Sequence, residues 1–187
     1  MPEPAQTEIG RGLHLTSFEM AGPNAMRRAS DVIVMGEMRD TASVESGFEM
    51  AMTGHATYST LHVDTPAEAI DRIISFYPFE AQAATANKLL STLRLVVAQK
   101  LARRKDGGVI AFRSWKVFDQ ETRRRLSGIP YSSIAAEIRK DCAKGGTNFE
   151  VQVARAFKAD IITFDTAREV AGLTIDEARE LLGATGG

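Results

Sequence analysis

The chain has 187 residues, of which 44% are hydrophobic and 25% are charged, and its formal net charge at pH 7 is −1. This length suits one domain with a small appendage and is sufficient to bury a hydrophobic core. No apolar run approaches the roughly 18 residues that a membrane-spanning helix needs. The single cysteine, Cys142, excludes an internal disulfide framework. These features favour a soluble protein of a reducing cytoplasm.

The charges are distributed unevenly along the chain. Residues 31–80 contain nine acidic and two basic residues, whereas residues 94–125 contain ten basic and three acidic residues. Two solvated faces of opposite sign would explain this distribution. So would a head-to-tail ring, in which the acidic face of one subunit meets the basic face of the next. Because the basic segment has few aromatic residues on which bases could stack, we expect no specific nucleic-acid binding.

The first predicted element in chain order is a short strand at residues 32–35 (VIVM). Four consecutive apolar residues, three of them β-branched, are typical of a strand buried on both faces. Gly36 and Glu37 follow at once, so the carboxylate of Glu37 is expected at the carboxyl end of a core strand. Open α/β sheets bind their ligands at that edge. An ordinary buried strand with a solvated acidic loop explains this segment equally well.

A crossover helix and a second strand follow. Residues 42–52 predict a helix, because Val44, Phe48 and Met52 recur at helical spacing on one face. Residues 56–63 are rich in β-branched and aromatic side chains and predict a strand. Strand, helix and strand together form the crossover unit of a parallel sheet.

Two histidines flank the second predicted strand. His62 lies at its end with Asp64, on one face, so both are expected at the same sheet edge as Glu37. His55 lies at its start and must reach the site by another route or from another subunit. Because the two histidines are seven residues apart, they fall on opposite faces of the strand, which disfavours a metal site.

The rest of the chain predicts mostly helices. Thr65 and Glu68 form a capping box that begins a helix ending near residue 76. A long helix is predicted over residues 80–104, and a third strand over residues 109–117. Further helices are predicted at residues 121–126, 131–143, 149–159 and 165–171, and from a capping box at Thr174 to Leu182.

Four segments carry a resemblance to the secretion ATPases, the motors of type II secretion, type IV secretion and type IV pili. Residues 32–40 (VIVMGEMRD) resemble the Walker B segment of that family, and residues 53–62 (TGHATYSTLH) resemble its histidine box. Residues 6–11 (QTEIGR) are similar to the segment before Walker B, and residues 69–78 (AIDRIISFYP) to the helix after the histidine box. The pilus-retraction, Dot/Icm and conjugative-plasmid ATPases are the most similar types.

The resemblance implies an α/β fold with two parts. Residues 1–118 would form a partial RecA-like parallel sheet, the half that carries Walker B and the histidine box. Residues 119–187 would form a small helical carboxyl-terminal domain.

The same resemblance implies roles for individual residues. Glu37 would be the catalytic general base for ATP hydrolysis, and His55 and His62 would sense the nucleotide. Arg11 and Arg39 would contact phosphates or a neighbouring subunit. The cofactors would be ATP and Mg²⁺, with no direct metal ligand among these residues and with the water shell of Mg²⁺ near Glu37.

The phosphate-binding pattern G-x-x-x-x-G-K-[ST] does not occur in the 187 residues. In the family this loop precedes the segment that matches residues 6–11. The resemblance therefore implies that the chain is the carboxyl-terminal portion of a longer motor, whether an excised fragment, a truncated reading frame or a decayed copy. In RecA-like sheets the strand that feeds this loop lies between the predicted second and third strands. We therefore expect the third strand to stand apart from the first two, or the chain to self-associate.

Two functions of different classes follow. The first is a part of a hexameric ATPase that works in the cytoplasm, at the inner membrane of a bacterium, with secretion, conjugation or type IV pilus machinery. The second is a non-catalytic module that assembles into such a ring and is inactive by itself. A helicase or recombinase with a RecA-like core is a third and weaker alternative.

Overall fold

The computed structural model of the chain describes residues 5–9, 14–28 and 30–183. In chain order the elements are α1 (Phe18–Arg27), β1 (Val32–Val34), α2 (Thr41–Met52), β2 (Ala56–Tyr58), α3 (Pro66–Ser75), α4 (Phe79–Thr92), β3 (Leu95–Arg103), β4 (Val109–Val117), α5 (Gln120–Ser127), α6 (Tyr131–Lys144), α7 (Phe149–Lys158), α8 (Phe164–Ala171) and α9 (Ile175–Leu182). They divide into two compact units. One contains the described residues up to His62 together with Ile73–Thr92, and the other contains Val63–Arg72 and the described residues from Leu93 onward.

The first unit is built around a parallel pair of short strands. β1 and β2 align with Val32 opposite Ala56 and Val34 opposite Tyr58, and α2 makes the crossover between them. Parallel neighbours need such a crossover, because both strands must run in the same direction. The predicted strand–helix–strand unit is therefore confirmed.

Helix α2 is anchored to the chain around α4 by polar contacts. Glu45 accepts hydrogen bonds from the Tyr77 hydroxyl at 2.7 Å and from the Lys88 ammonium at 2.5 Å. The Lys88 ammonium also lies 4.8 Å from the centre of the Phe48 ring. The Thr41 hydroxyl donates to the carbonyl oxygen of Phe76 at 2.8 Å. These contacts hold the amino-terminal half of α2, the end that follows Glu37.

The second unit contains an antiparallel hairpin covered on one face by helices. β3 and β4 pair along their whole length, from Leu95 opposite Val117 to Arg103 opposite Val109. Ala98 and Phe112 face inward and are buried with apolar residues of α7, α8 and α9. Because side chains alternate along a strand, the residues directly before and after Ala98 and Phe112 face outward.

Several predicted elements are confirmed by the structure. The third strand has the predicted bounds, and helices occur at α3 and from α5 to α9. The capping box at Thr174 is present, since Thr174 and Glu177 exchange backbone-to-side-chain hydrogen bonds. The box at Thr65 is altered: Thr65 accepts from the N–H of Glu68, but the Glu68 carboxylate accepts from the N–H of Asp64.

Three predictions about elements are wrong, and one helix was missed. Residues 95–103 form strand β3 rather than the end of a long helix, which stops at Thr92. β2 ends at Tyr58, so residues 59–63 lie outside the strand. β1 is not buried on both faces, because Val32 and Val34 are 57% and 76% exposed. Helix α1 was not predicted, since Pro23 lies inside it and proline usually interrupts helices.

The third strand belongs to a different sheet from the first two, as predicted, but it pairs with β3 rather than standing unpaired. The β3–β4 hairpin packs against the carboxyl-terminal helices within one compact unit. The domain boundary expected between residues 118 and 119 stays a prediction. Within the described part of the chain, no helix has the length and apolar character needed to cross a membrane.

Candidate functional site

The loop between β1 and α2, which carries Glu37, is hydrogen-bonded to the segment that follows β2. The N–H of Met35 donates to the carbonyl oxygen of Tyr58 at 2.8 Å, and the N–H of Met38 donates to that of Thr60 at 3.0 Å. The Thr60 hydroxyl donates to the carbonyl oxygen of Gly36 at 2.5 Å. Pairing between the two chain segments therefore continues past the ends of the strands.

The other end of this loop is held by the cap of α2. Asp40 is the N-cap, and its carboxylate accepts from the N–H of Ser43 at 2.8 Å. The Ser43 hydroxyl accepts in turn from the N–H groups of Arg39 and Asp40. Hydrogen bonds from the Ser43 hydroxyl and backbone N–H hold the pKa of Asp40 below its ordinary value. Ser43 itself is fully buried.

The side chains of Glu37 and His62 lie close together, in the segments that follow the carboxyl ends of β1 and β2. The Nε2 atom of His62 lies 3.3 Å from Oε1 of Glu37, and the two side chains are 89% and 35% exposed, respectively. A carboxylate in this position can accept a proton from a water molecule, because it remains open to solvent. The structure therefore brings together two of the predicted site residues.

These residues line a cavity of about 650 Å³. Glu37, Arg39, Thr60 and His62 contribute to its wall, as does Arg28, which donates to the Thr7 hydroxyl at 3.3 Å. The volume is within the range of about 300–1,000 Å³ of small-ligand sites. Among the described residues that line it, Glu37 is the one carboxylate and the guanidinium groups number two. That set of side chains suits an anionic ligand.

The other predicted site residues lie elsewhere. His55 precedes β2, at the end of the strand pair opposite to Glu37, and its Nδ1 lies 3.0 Å from the Thr53 hydroxyl. Asp64 belongs to the second unit, where its carboxylate lies 4.0 Å from the Lys100 ammonium, and it does not line the cavity. The expectation that Asp64 lies at the exit of β2 is wrong, because the strand ends at Tyr58. Arg11 lies outside the described residues.

Over the described ranges, no group of three or more histidine, cysteine, aspartate or glutamate side chains is arranged to hold a metal ion.

Comparison with known proteins identifies the family. The family model described as "Type II/IV secretion system protein" matches residues 2–145. The chain belongs to this family. Its resemblance to the secretion ATPases is thereby confirmed, and Glu37 and His62 lie within the matched part of the chain.

Individual relatives support the same assignment. Over 154 residues, 82% of this chain and 45% of the relative, the sequence is 27% identical to the type IV pilus retraction ATPase PilT of Pseudomonas aeruginosa. Over 102 residues, 54% of this chain and 26% of the relative, it is 38% identical to the type IV pilus ATPase PilU of the same organism. The chain thus spans less than half the length of these relatives.

Solved structures show that the fold is shared. The ATPase DotB of Legionella pneumophila superposes with a TM-score of 0.79 at 30% identity, over 85% of this chain and 43% of DotB. The pilus retraction motor PilT, solved with bound ADP, superposes with a TM-score of 0.72 at 26% identity, over 85% of this chain and 45% of PilT. The α/β fold class predicted for this family is confirmed.

One residue of the site, Thr60, had no role predicted from the sequence. It lies in the histidine-box segment two residues before His62, and both its hydroxyl and its carbonyl oxygen contact the Glu37 loop. The histidine-box motif indicated the right segment, but a sequence motif does not show which backbone groups a side chain contacts.

Proposed function

We propose that this chain is part of a hexameric ATP-hydrolysing motor that powers type IV secretion, conjugation or type IV pilus dynamics. The proposal is supported by the names of the relatives, which are pilus ATPases, and by the fold shared with DotB and PilT. The observation that carries it is the position of Glu37, at the carboxyl end of β1 and 3.3 Å from His62.

Glu37 acts as the general base in this proposal. Its carboxylate accepts a proton from the water that attacks the terminal phosphate, so the water becomes a better nucleophile. The half-exposed carboxylate is open to water on the cavity side. His62, in contact with the same carboxylate, senses the phosphate and moves with the segment that leads into α3. His55 acts at the other end of β2, toward the body of the protein or a neighbouring subunit.

The side chains around the cavity fit a nucleotide phosphate. Arg39 and Arg28 can neutralise negative charge on the phosphates, and Arg11 would act in the same way or at a subunit contact. ATP with Mg²⁺ supplies the phosphoryl group and part of the charge neutralisation when bound. Glu37 is the residue of this chain that would face the water shell of the ion.

The partners of the motor follow from the same proposal. Six copies form a ring in the cytoplasm, against the inner-membrane part of a secretion or pilus apparatus. The separation of acidic and basic segments along the chain suits head-to-tail contacts between copies. The alternative is a ring-assembly module without catalysis, favoured by the lack of the phosphate-binding pattern in these 187 residues.

A fusion protein tests the catalytic proposal. This chain replaces the structurally equivalent segment of DotB, with which it shares a TM-score of 0.79, and ATP turnover and nucleotide binding are measured. We expect turnover, and we expect Glu37→Gln to lower kcat by about 10²–10⁴-fold while nucleotide binding persists, because the amide cannot accept a proton.

The matched control is Glu80→Gln, which removes an exposed carboxylate from the first turn of α4. We expect it to leave turnover unchanged. A fusion that forms rings and binds nucleotide without hydrolysis would support the assembly module instead. Loss of nucleotide binding in Glu37→Gln would contradict the role of a general base.

A further inference from the structure

Thr60 contacts both peptide groups that flank Glu37. Its hydroxyl donates to the carbonyl oxygen of Gly36 at 2.5 Å, and that carbonyl belongs to the peptide group before Glu37. Its carbonyl oxygen accepts from the N–H of Met38 at 3.0 Å, and that N–H belongs to the peptide group after Glu37. One residue therefore restrains the two backbone torsions that set the direction of the Glu37 side chain.

The hydroxyl contact is the part that depends on the side chain. Any residue at position 60 can accept the N–H of Met38 through its main-chain carbonyl, as Tyr58 accepts that of Met35. The bond to Gly36 needs a side-chain donor, and here the Thr60 hydroxyl supplies it. The strands themselves end at Val34 and Tyr58, so this side-chain bond adds to the backbone hydrogen bonds that continue the pairing beyond them.

Thr60 also lies on the segment that supplies His62. The same stretch of chain thus grips the loop of Glu37 and carries the imidazole that lies 3.3 Å from its carboxylate. A shift of this segment would move both groups relative to the cavity they line.

We propose that Thr60 is a positioning residue for Glu37, holding its carboxylate in the direction needed for proton transfer. This inference rests on the proposed function for its purpose, but the restraint itself is a property of the chain. Because positioning acts on the reacting geometry rather than on nucleotide affinity, loss of the hydroxyl lowers kcat and leaves KM unchanged.

Amide hydrogen exchange of the 187-residue chain, measured by NMR, tests the restraint without any nucleotide. Thr60→Val keeps the branched shape and removes the hydroxyl. The variant loses the hydroxyl bond to Gly36, so the Glu37 loop should open more often. We expect the Met38 amide to exchange about fivefold faster, because one hydrogen bond of average net strength corresponds to that factor. The Met35 amide, bonded to Tyr58, serves as an internal reference and should not change.

Two further variants separate positioning from loss of stability. Thr60→Ser keeps a hydroxyl and should restore the exchange rate of the Met38 amide. Thr57→Val removes a half-buried threonine hydroxyl from β2 that donates to the carbonyl oxygen of His55, and it should leave Met38 unaffected. Unchanged exchange at Met38 in Thr60→Val overturns the proposal. Equal acceleration at Met35 and Met38 also overturns it, because it would show a loss of overall stability.

Kinetics of the DotB fusion then test the consequence. We expect Thr60→Val to lower kcat about tenfold to a hundredfold at constant KM, and Thr60→Ser to recover it. Loosened exchange at Met38 with unchanged kcat would show that Thr60 is structural and would overturn the positioning role. A wild-type fusion without turnover would count against the proposed function alone, since the exchange measurement decides whether Thr60 holds the loop.

Discussion

At the scale of single residues, the Glu37 loop is short and is bonded at both ends. Thr60 holds its beginning, and the reciprocal cap of Asp40 and Ser43 holds its end. A cap of this kind satisfies backbone N–H groups that the first turn of a helix leaves without partners. The start of α2 is therefore fixed relative to Glu37 by the same bonds that stabilise the helix.

Asp40→Ala should lower the free energy of unfolding at pH 7 by about 1 kcal/mol, the usual effect of removing an N-cap side chain. Since the folded-state pKa of Asp40 lies below its ordinary value of 3.8, its contribution is complete above that pH. It is lost as the pH falls through the folded-state pKa, where the carboxylate becomes protonated. Urea denaturation at pH 7 and at a pH below 3.8 measures both effects.

Asp40→Asn is the matched control for this experiment. Asparagine caps helices about as well as aspartate, so we expect most of the stability to remain at pH 7 and the dependence on acid to weaken. Equal stability of wild type and Asp40→Ala at pH 7 would contradict the role assigned to the cap.

At the scale of elements, the sequence predicted helices and the crossover unit better than it predicted where strands begin and end. Residues 89–101 satisfy two patterns at once, because their leucines and valines recur at helical spacing and also alternate. No glycine or proline separates Thr92 from Leu95, so nothing in the local sequence marks the change from α4 to β3. The pairing of β3 with β4 decides it, and that pairing is a tertiary interaction.

The site was predictable for a different reason. Glu37 and His62 follow strands that lie side by side, and the carboxyl ends of parallel strands meet at one edge. Asp64 is a counterexample, since β2 ends at Tyr58 and Asp64 is not among the residues that line the cavity. A motif therefore indicates an edge of the sheet, whereas individual contacts depend on where each strand stops.

The end of α8 supports a prediction about backbone conformation. Gly172 follows this helix with a φ of +70°, and a Cβ added there would meet no atom within 4 Å. Gly172→Ala should therefore lower the free energy of unfolding by about 1–2 kcal/mol, entirely through the strain of the left-handed conformation. Thermal or urea denaturation measures this loss.

Gly128 provides the comparison, because it ends α5 with a φ of −88°. Alanine adopts that conformation without strain, so Gly128→Ala should be neutral or slightly stabilising. If the two substitutions cost the same, backbone strain at Gly172 would not be the cause.

At the scale of the whole molecule, the proposed activity depends on parts that this sequence does not contain. Glu37 can accept a proton, but the pattern that grips phosphates, G-x-x-x-x-G-K-[ST], is absent from the 187 residues. We therefore expect the chain by itself not to hydrolyse ATP, and a phosphate-release assay should remain at background. Release that disappears in Glu37→Gln would prove this expectation wrong.

The outward face of the β3–β4 hairpin supports the last prediction, which concerns association. Several large apolar side chains on this face are exposed, from 37% at Trp115 to 66% at Leu101: Leu95, Val97, Leu101, Val109, Trp115 and Val117. The hydrogen-bonded pair of Gln99 and Arg113 lies among them, so the face is apolar in part. Exposed apolar side chains grouped on one face are a site at which chains associate. We expect the isolated chain to self-associate as its concentration rises, and Val97→Lys with Leu101→Lys to reduce that association, because two charges would have to be desolvated in the contact.

Ser132→Lys places one such charge on an exposed position of α6 and should not reduce the association. Static light scattering measures the mass of each variant, and a wild-type chain that stays monomeric at every concentration would show that this face does not drive association.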